Sequence, residues 1–182
     1  MKYPTVENAL LVVVDLQRKL VPAMSDPESV VARSAIMVRA AAELGLDIAV
    51  TEQYPKGLGG TVAEIATWLP DGTWVGEKTA FSVFRSEAFR TFLSARRREV
   101  LIFVGVEAHV CLLQSVLDAR AAGYDVVVTS DAVGSRRDAD RELALAAARQ
   151  AGALVIGSES VLFMLLRDAK HPHFKAVSAL IK

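Results

Sequence analysis

One cysteine and three histidines are the entire stock of thiol and imidazole side chains in this 182-residue sequence. A single thiol excludes an intramolecular disulfide and fits a reducing compartment, so the expected location is cytoplasmic. Of the histidines, His171 and His173 flank Pro172 in what reads as an exposed C-terminal turn, without a frame of carboxylates. No bound metal is expected from them, and nothing else calls for a cofactor. The 21 basic and 21 acidic residues cancel, which removes the usual electrostatic reason for a nucleic-acid partner. The one basic cluster, Arg96-Arg97-Arg98, precedes a strand and reads as a solvated helix end. No apolar run approaches the roughly 20 residues of a membrane span, and no charged-then-apolar leader opens the chain. Linkers, composition shifts and repeats are also missing, so residues 1–182 read as a single domain.

What is present is a dense apolar chain, 52% hydrophobic and only 23% charged. Strand and helix patterns alternate from end to end. Strands are expected at residues 10–14, 47–51, 73–77, 100–106, 125–130 and 153–156. Helices are expected from an Asp26-Pro27 start to Gly45, and over 62–68, 86–94, 111–123, 141–152 and 160–167. This alternation predicts a three-layer α/β/α domain with a mostly parallel, six-stranded, Rossmann-like sheet. A nucleotide-binding Rossmann domain does not follow, because strand one leads into Asp15-Leu16-Gln17 and not into a glycine-rich turn.

In such sheets ligands bind beyond the carboxyl ends of the strands. The polar residues arriving there are Asp15 and Gln17, Glu52 and Gln53, Lys78, then Glu107, His109 and Cys111, then Asp131. Cys111 falls where a buried strand hands over to a helix, and a helix N-terminus favours thiolate. On position alone it could equally be a buried structural cysteine. Asp131 reads as a turn or cap, and Trp68 and Trp74 as packing residues.

Three segments carry a family resemblance: Val12-Val13-Val14-Asp15-Leu16-Gln17, Lys78-Thr79-Ala80-Phe81-Ser82, and Gly105-Val106-Glu107-Ala108-His109-Val110-Cys111. In order and spacing the chain resembles the isochorismatase-like cysteine hydrolases over nearly its whole length. Thr51-Glu52-Gln53-Tyr54-Pro55 further resembles the isochorismatase domain-containing protein subgroup. The resemblance implies a triad in which Cys111 attacks an amide-like carbon, Asp15 moves the proton and Lys78 supplies positive charge. It also implies a cis peptide at Val106–Glu107 and an oxyanion hole from the backbone N–H groups of Val110 and Cys111. Gln17, Glu52, Tyr54, Phe81 and His109 are the candidate substrate-pocket residues. The family's nicotinamidase branch has metal-binding histidines after strand two, and this chain has none there.

These features predict a metal-independent hydrolase cleaving a C–N bond of a small molecule through a Cys thioester. A vinyl-ether hydrolase of the same family, which needs no cysteine, is one alternative; a catalytically silent binding protein is another. A phosphatase-like thiol enzyme would require Arg six positions beyond the cysteine, where Leu117 stands. The apolar stretch 161–166 and Leu112-Leu113 exceed what one small core needs, which predicts a homo-oligomer, dimer or tetramer.

Overall fold

In the computed structural model, which describes residues 1–182, the six strands are β1 (Ala9–Val14), β2 (Asp47–Gln53), β3 (Trp74–Lys78), β4 (Val100–Val106), β5 (Asp125–Gly134) and β6 (Leu154–Ile156). They form one sheet in the order β3-β2-β1-β4-β5-β6. Every pairing is parallel, so the sheet is parallel throughout and not only mostly so. Around it lie α1 (Pro27–Leu44), α2 (Pro55–Leu58), α3 (Ala63–Ala66), α4 (Glu87–Arg96), α5 (Leu113–Ala121), α6 (Asp138–Gln150), α7 (Ser158–Leu166) and α8 (Phe174–Ala179).

The two central strands, β1 and β4, have no polar side because neither face meets water. Every residue of β1 and β4 is buried. Ala9, Leu11 and Val13 enter a core shared with α1, α3, α7 and α8, while Leu10, Val12 and Val14 enter a second one with α4, α5 and α6. Helix α1 starts as its sequence suggests, with Pro27 in the first turn and the Asp26 carboxylate accepting from the Ser29 N–H at 3.1 Å. The strand order reverses between β1 and β4, which opens a crevice at their carboxyl ends. Gly105 permits this approach. Its φ is +117°, and a Cβ there would lie 2.0 Å from the Val14 carbonyl oxygen.

Several elements differ from the sequence expectations. β5 runs to Gly134 because its register against β4 slips between Phe103 and Gly105, leaving a bulge. Arg141 secures the bulge by donating to the carbonyls of Val133, at 2.9 Å, and Ser130. Asp131 lies inside β5, not after it, and caps α7 by accepting from Ser158 N at 2.7 Å and Ser158 Oγ at 2.6 Å. The expected C-terminal turn leads into α8; His171 and His173 are half-buried there, not exposed, and His173 Nδ1 lies 2.8 Å from Glu43 Oε1. Val161, Leu162, Leu165, Leu166 and Leu112 are consumed by the chain's own cores, so they are not the surplus surface on which assembly was argued. Leu117 and Leu143 are the exposed leucines. Trp74 stacks on Phe92 at 5.0 Å, and the Arg39 guanidinium sits 4.2 Å from the Trp68 ring.

Candidate active site

The end of β1 turns sharply. Asp15 has φ +52°, a left-handed conformation that Asp tolerates better than most residues. The turn drives its carboxylate into the crevice at no solvent exposure. Thr51, the register partner of Val14 on β2, donates to Asp15 Oδ1 at 2.8 Å. Lys78 closes β3, and its Nζ donates to Asp15 Oδ2 at 2.6 Å. The Lys78 and Asp15 side chains are 1% and 0% exposed, so this is a fully desolvated ion pair.

From the other side of the crevice comes the end of β4. The Val106–Glu107 peptide is cis. A π-helical turn, Ala108–Leu112, follows and carries Cys111 before α5 begins. The helical segment thus begins three residues earlier than the sequence suggests. Ser115 ties this segment to the loop after β3. Its hydroxyl donates to the Cys111 carbonyl at 2.6 Å and accepts from Val83 N at 3.0 Å. Cys111 is 6% exposed and feels both Asp15 and Lys78.

Desolvation dominates the electrostatics. Burial pushes the Asp15 carboxyl above its ordinary value, opposed by Lys78, Cys111 and Thr51. Burial, with the Asp15 charge next, pushes the Cys111 thiol up to about 12, and Lys78 opposes both. This corrects the expectation of a preformed thiolate. Helix position and one lysine do not outweigh a dry site with a carboxylate in it. The resting centre is therefore a neutral thiol beside the Asp15–Lys78 pair; the raised carboxyl makes Asp15 a better proton acceptor, and the raised thiol works against the transfer.

The remaining candidates are scattered. The Val110 N–H donates to the Glu107 carbonyl at 3.1 Å, so an oxyanion would have to share it. Gln17 is fully buried, and its amide bonds to the backbone of Gln53 and Gly59. Glu52 accepts from Thr61 N and Oγ1, both at 2.7 Å. His109 Nδ1 lies 2.9 Å from Ser135 Oγ. Tyr54 and Phe81 are 55% and 51% exposed. A cavity of about 420 Å³ borders Lys78 and is lined by Tyr54, Lys56, Thr79 and Arg85 among others; of the five pocket candidates only Tyr54 reaches it. No three His, Cys, Asp or Glu side chains gather as a metal-ligand set. Sequence reasoning missed Thr51 and Ser115. For Thr51 a signal existed, since a hydroxyl at the end of a buried strand beside Asp15 needs a partner.

The sequence matches the Isochorismatase domain family over residues 9–160. The chain belongs to the isochorismatase family. It is similar to Isochorismatase family protein 1B of Dictyostelium discoideum, 38% identical over 180 residues that cover 97% of this chain and 87% of that protein. Its structure resembles that of the MAR1 Ribonuclease from Caenorhabditis elegans, with 37% identity, a TM-score of 0.94 and coverage of 99% and 92% of the two chains. It also resembles YcaC from Pseudomonas aeruginosa, solved with covalent acrylamide, at 25% identity and a TM-score of 0.88, covering 99% and 96%. The isochorismatase-family hydrolase fold therefore holds across the whole described chain, and no helix is long and apolar enough to cross a membrane.

Proposed function

We propose that the protein is a metal-independent cysteine hydrolase of small amide-like substrates, with Asp15, Lys78 and Cys111 as its triad. The observation that carries this reading is the desolvated Lys78–Asp15 pair set against the chain's one thiol at the reversal of strand order. A buried ion pair stabilises a fold weakly at best, so its place beside a nucleophile calls for another reason.

In the proposed reaction the Cys111 sulfur attacks the substrate carbonyl carbon as its proton passes to Asp15. The tetrahedral oxyanion is met by the Cys111 N–H and by that of Val110, which it shares with the Glu107 carbonyl. The C–N bond then breaks, Asp15 returns the proton to the departing amine, and a thioester remains. Water, deprotonated by Asp15, attacks the thioester, releasing the carboxylic acid and restoring the thiol. Lys78 holds Asp15 ionised between these transfers.

The covalent acrylamide carried by the Pseudomonas aeruginosa protein agrees with a nucleophile in that relative. The Caenorhabditis elegans protein is called a ribonuclease. For this chain, zero net charge and a reacting centre below the surface favour a small molecule over RNA. The exposed Leu117 and Leu143 support a homo-oligomer.

The test is to incubate the protein with a panel of small primary amides in the presence of a chelator and follow its intact mass. An acyl adduct on Cys111, absent from Cys111→Ala, is the expected result. Amide turnover by Cys111→Ala at the native rate would end the thioester mechanism, and turnover that the chelator abolishes would end its metal independence.

A further inference from the structure

Lys78 Nζ has three hydrogen-bond acceptors around it: Asp15 Oδ2 at 2.6 Å, Gln53 Oε1 at 2.8 Å and Ala80 O at 3.4 Å. An ammonium carries three N–H donors, so all three are taken up inside the protein. Lys78 has none left for a substrate and acts by the charge it places beside Asp15 and Cys111. Where that charge sits depends on Gln53, the one neutral side chain in the set.

Gln53 is held on every side. It is the register partner of Lys78 in the parallel β2–β3 pair, which puts the two side by side. Its Nε2 donates to Thr79 O at 2.7 Å, and this turns Oε1 toward the ammonium. Its backbone is gripped by Gln17, whose Oε1 accepts from Gln53 N at 2.7 Å while its Nε2 donates to Gln53 O at 3.0 Å and Gly59 O at 2.6 Å. A side-chain amide here does what a neighbouring strand would do, pairing both backbone groups of one residue. Gln17 has no solvent exposure, and its side-chain bonds go to the backbone of Gln53 and Gly59, which ties β2 to the loop that follows it.

We propose that Gln53 is a positioning residue that fixes the Lys78 ammonium against Asp15, and that Gln17 sets Gln53 in place for it. The proposal rests on the triad reading above. It assigns Gln17, a pocket candidate by sequence, to the support of the lysine and not to the substrate. Without the Gln53 oxygen, one N–H of a flexible four-carbon stem is unsatisfied, and the cavity that borders Lys78 gives it room to swing away.

The test compares the native protein with Gln53→Met, Gln53→Glu and Lys78→Met. Two quantities are read: the rate of Cys111 alkylation by iodoacetamide from pH 7 to 11, and the ¹H–¹⁵N signal of the Lys78 ammonium, assigned by its loss in Lys78→Met. Native protein should give a sharp ammonium signal, because its protons are hydrogen-bonded and shielded from water. Gln53→Met should lose that signal and alkylate about five- to tenfold more slowly, approaching Lys78→Met. Gln53→Glu keeps an acceptor in place and should keep the signal, which also guards against a Gln53→Met protein that folds poorly. If Lys78→Met slows alkylation while Gln53→Met matches native protein in both readouts, the positioning role is overturned and the triad stands. Loss of the signal in Gln53→Glu would overturn it too. If Lys78→Met itself leaves alkylation unchanged, the triad reading fails and this proposal with it.

Discussion

Replacing Asp15 by Asn separates the charge of that residue from its work as a base, and the two effects have opposite signs. In the native protein the thiol is pushed from 9.0 up to about 12. At pH 8 that leaves about 10³-fold less thiolate than an ordinary exposed cysteine holds, since each unit is a factor of ten. The Asp15 charge is the second cause of the shift after burial, and Lys78 works against it. Asn is nearly isosteric and still accepts from Thr51, but it removes the negative charge and leaves the Lys78 cation unopposed beside the sulfur. A charge at this range is worth roughly 1–3 units, so alkylation of Cys111 by iodoacetamide at pH 8 should rise by about 10–1000-fold. Turnover should move the other way, by the roughly 10²–10⁴-fold that general acid–base catalysis supplies, because an amide neither takes the thiol proton nor returns it to the amine. The assay is stopped-time mass spectrometry of the carbamidomethyl adduct alongside turnover of any amide found to acylate the native protein. An Asp15→Asn protein whose Cys111 alkylates more slowly than native would refute the electrostatic account, since the carboxylate would then be activating the thiol at rest.

The raised thiol also makes the fold sensitive to alkali. The folded state holds the proton between about 9 and 12 while the unfolded state releases it, so this stabilisation is full below pH 9 and is lost as pH rises through 12. At pH 10 it is smaller than at pH 7 by on the order of 1 kcal/mol, and urea midpoints of Cys111→Ala should lack this component; identical pH dependence in the two proteins would contradict it. Gly105→Ala should destabilise on the order of 3 kcal/mol, because the added Cβ meets the Val14 carbonyl oxygen and the φ of +117° is costly for Ala; thermal melts within a degree of native would show that the β1–β4 approach is looser than described. Light scattering should report a mass above that of one 19.6 kDa chain, reduced by Leu143→Glu, and a monomer at micromolar concentration would remove the assembly reading.

The sequence spoke most clearly where burial is two-sided. β1 and β4 are continuous apolar runs because both faces are covered, and their ends mark the crevice without ambiguity. Asp15 directly follows β1 and Cys111 lies in the turn after β4, whereas Lys78 closes the outer strand β3, which has no such two-sided burial. What stayed hidden depends on hydrogen bonds that no periodicity encodes. The β5 bulge is set by its register with β4 and by Arg141 from the next helix. The π-helical turn at Cys111 differs from an α-helical one by which amide reaches the Glu107 carbonyl. Gln17 was assigned to the pocket because it lies at the rim of the sheet, yet its amide faces inward to Gln53. The thiol was misjudged for a similar reason: a helix N-terminus is visible in sequence, whereas the dryness of the site and the nearness of Asp15 come from distant segments.

β3 has a neighbour on one side only, and Lys78 is its last residue. Asp15 and Cys111, by contrast, follow two interior strands. The three groups therefore do not share one local stability. Edge strands open at lower free energy than the strands they flank, through partial excursions that leave the rest of the sheet intact. Each such excursion would withdraw the ammonium while carboxylate and thiol stay where they are. The working lifetime of the centre is then set by how firmly one outer strand is fastened: by its ladder with β2 and, at its end, by the bonds from Lys78 to Asp15 and Gln53 and from Tyr54 N to the Lys78 carbonyl at 2.9 Å. Mild heat or denaturant would silence the chemistry well before the globule came apart.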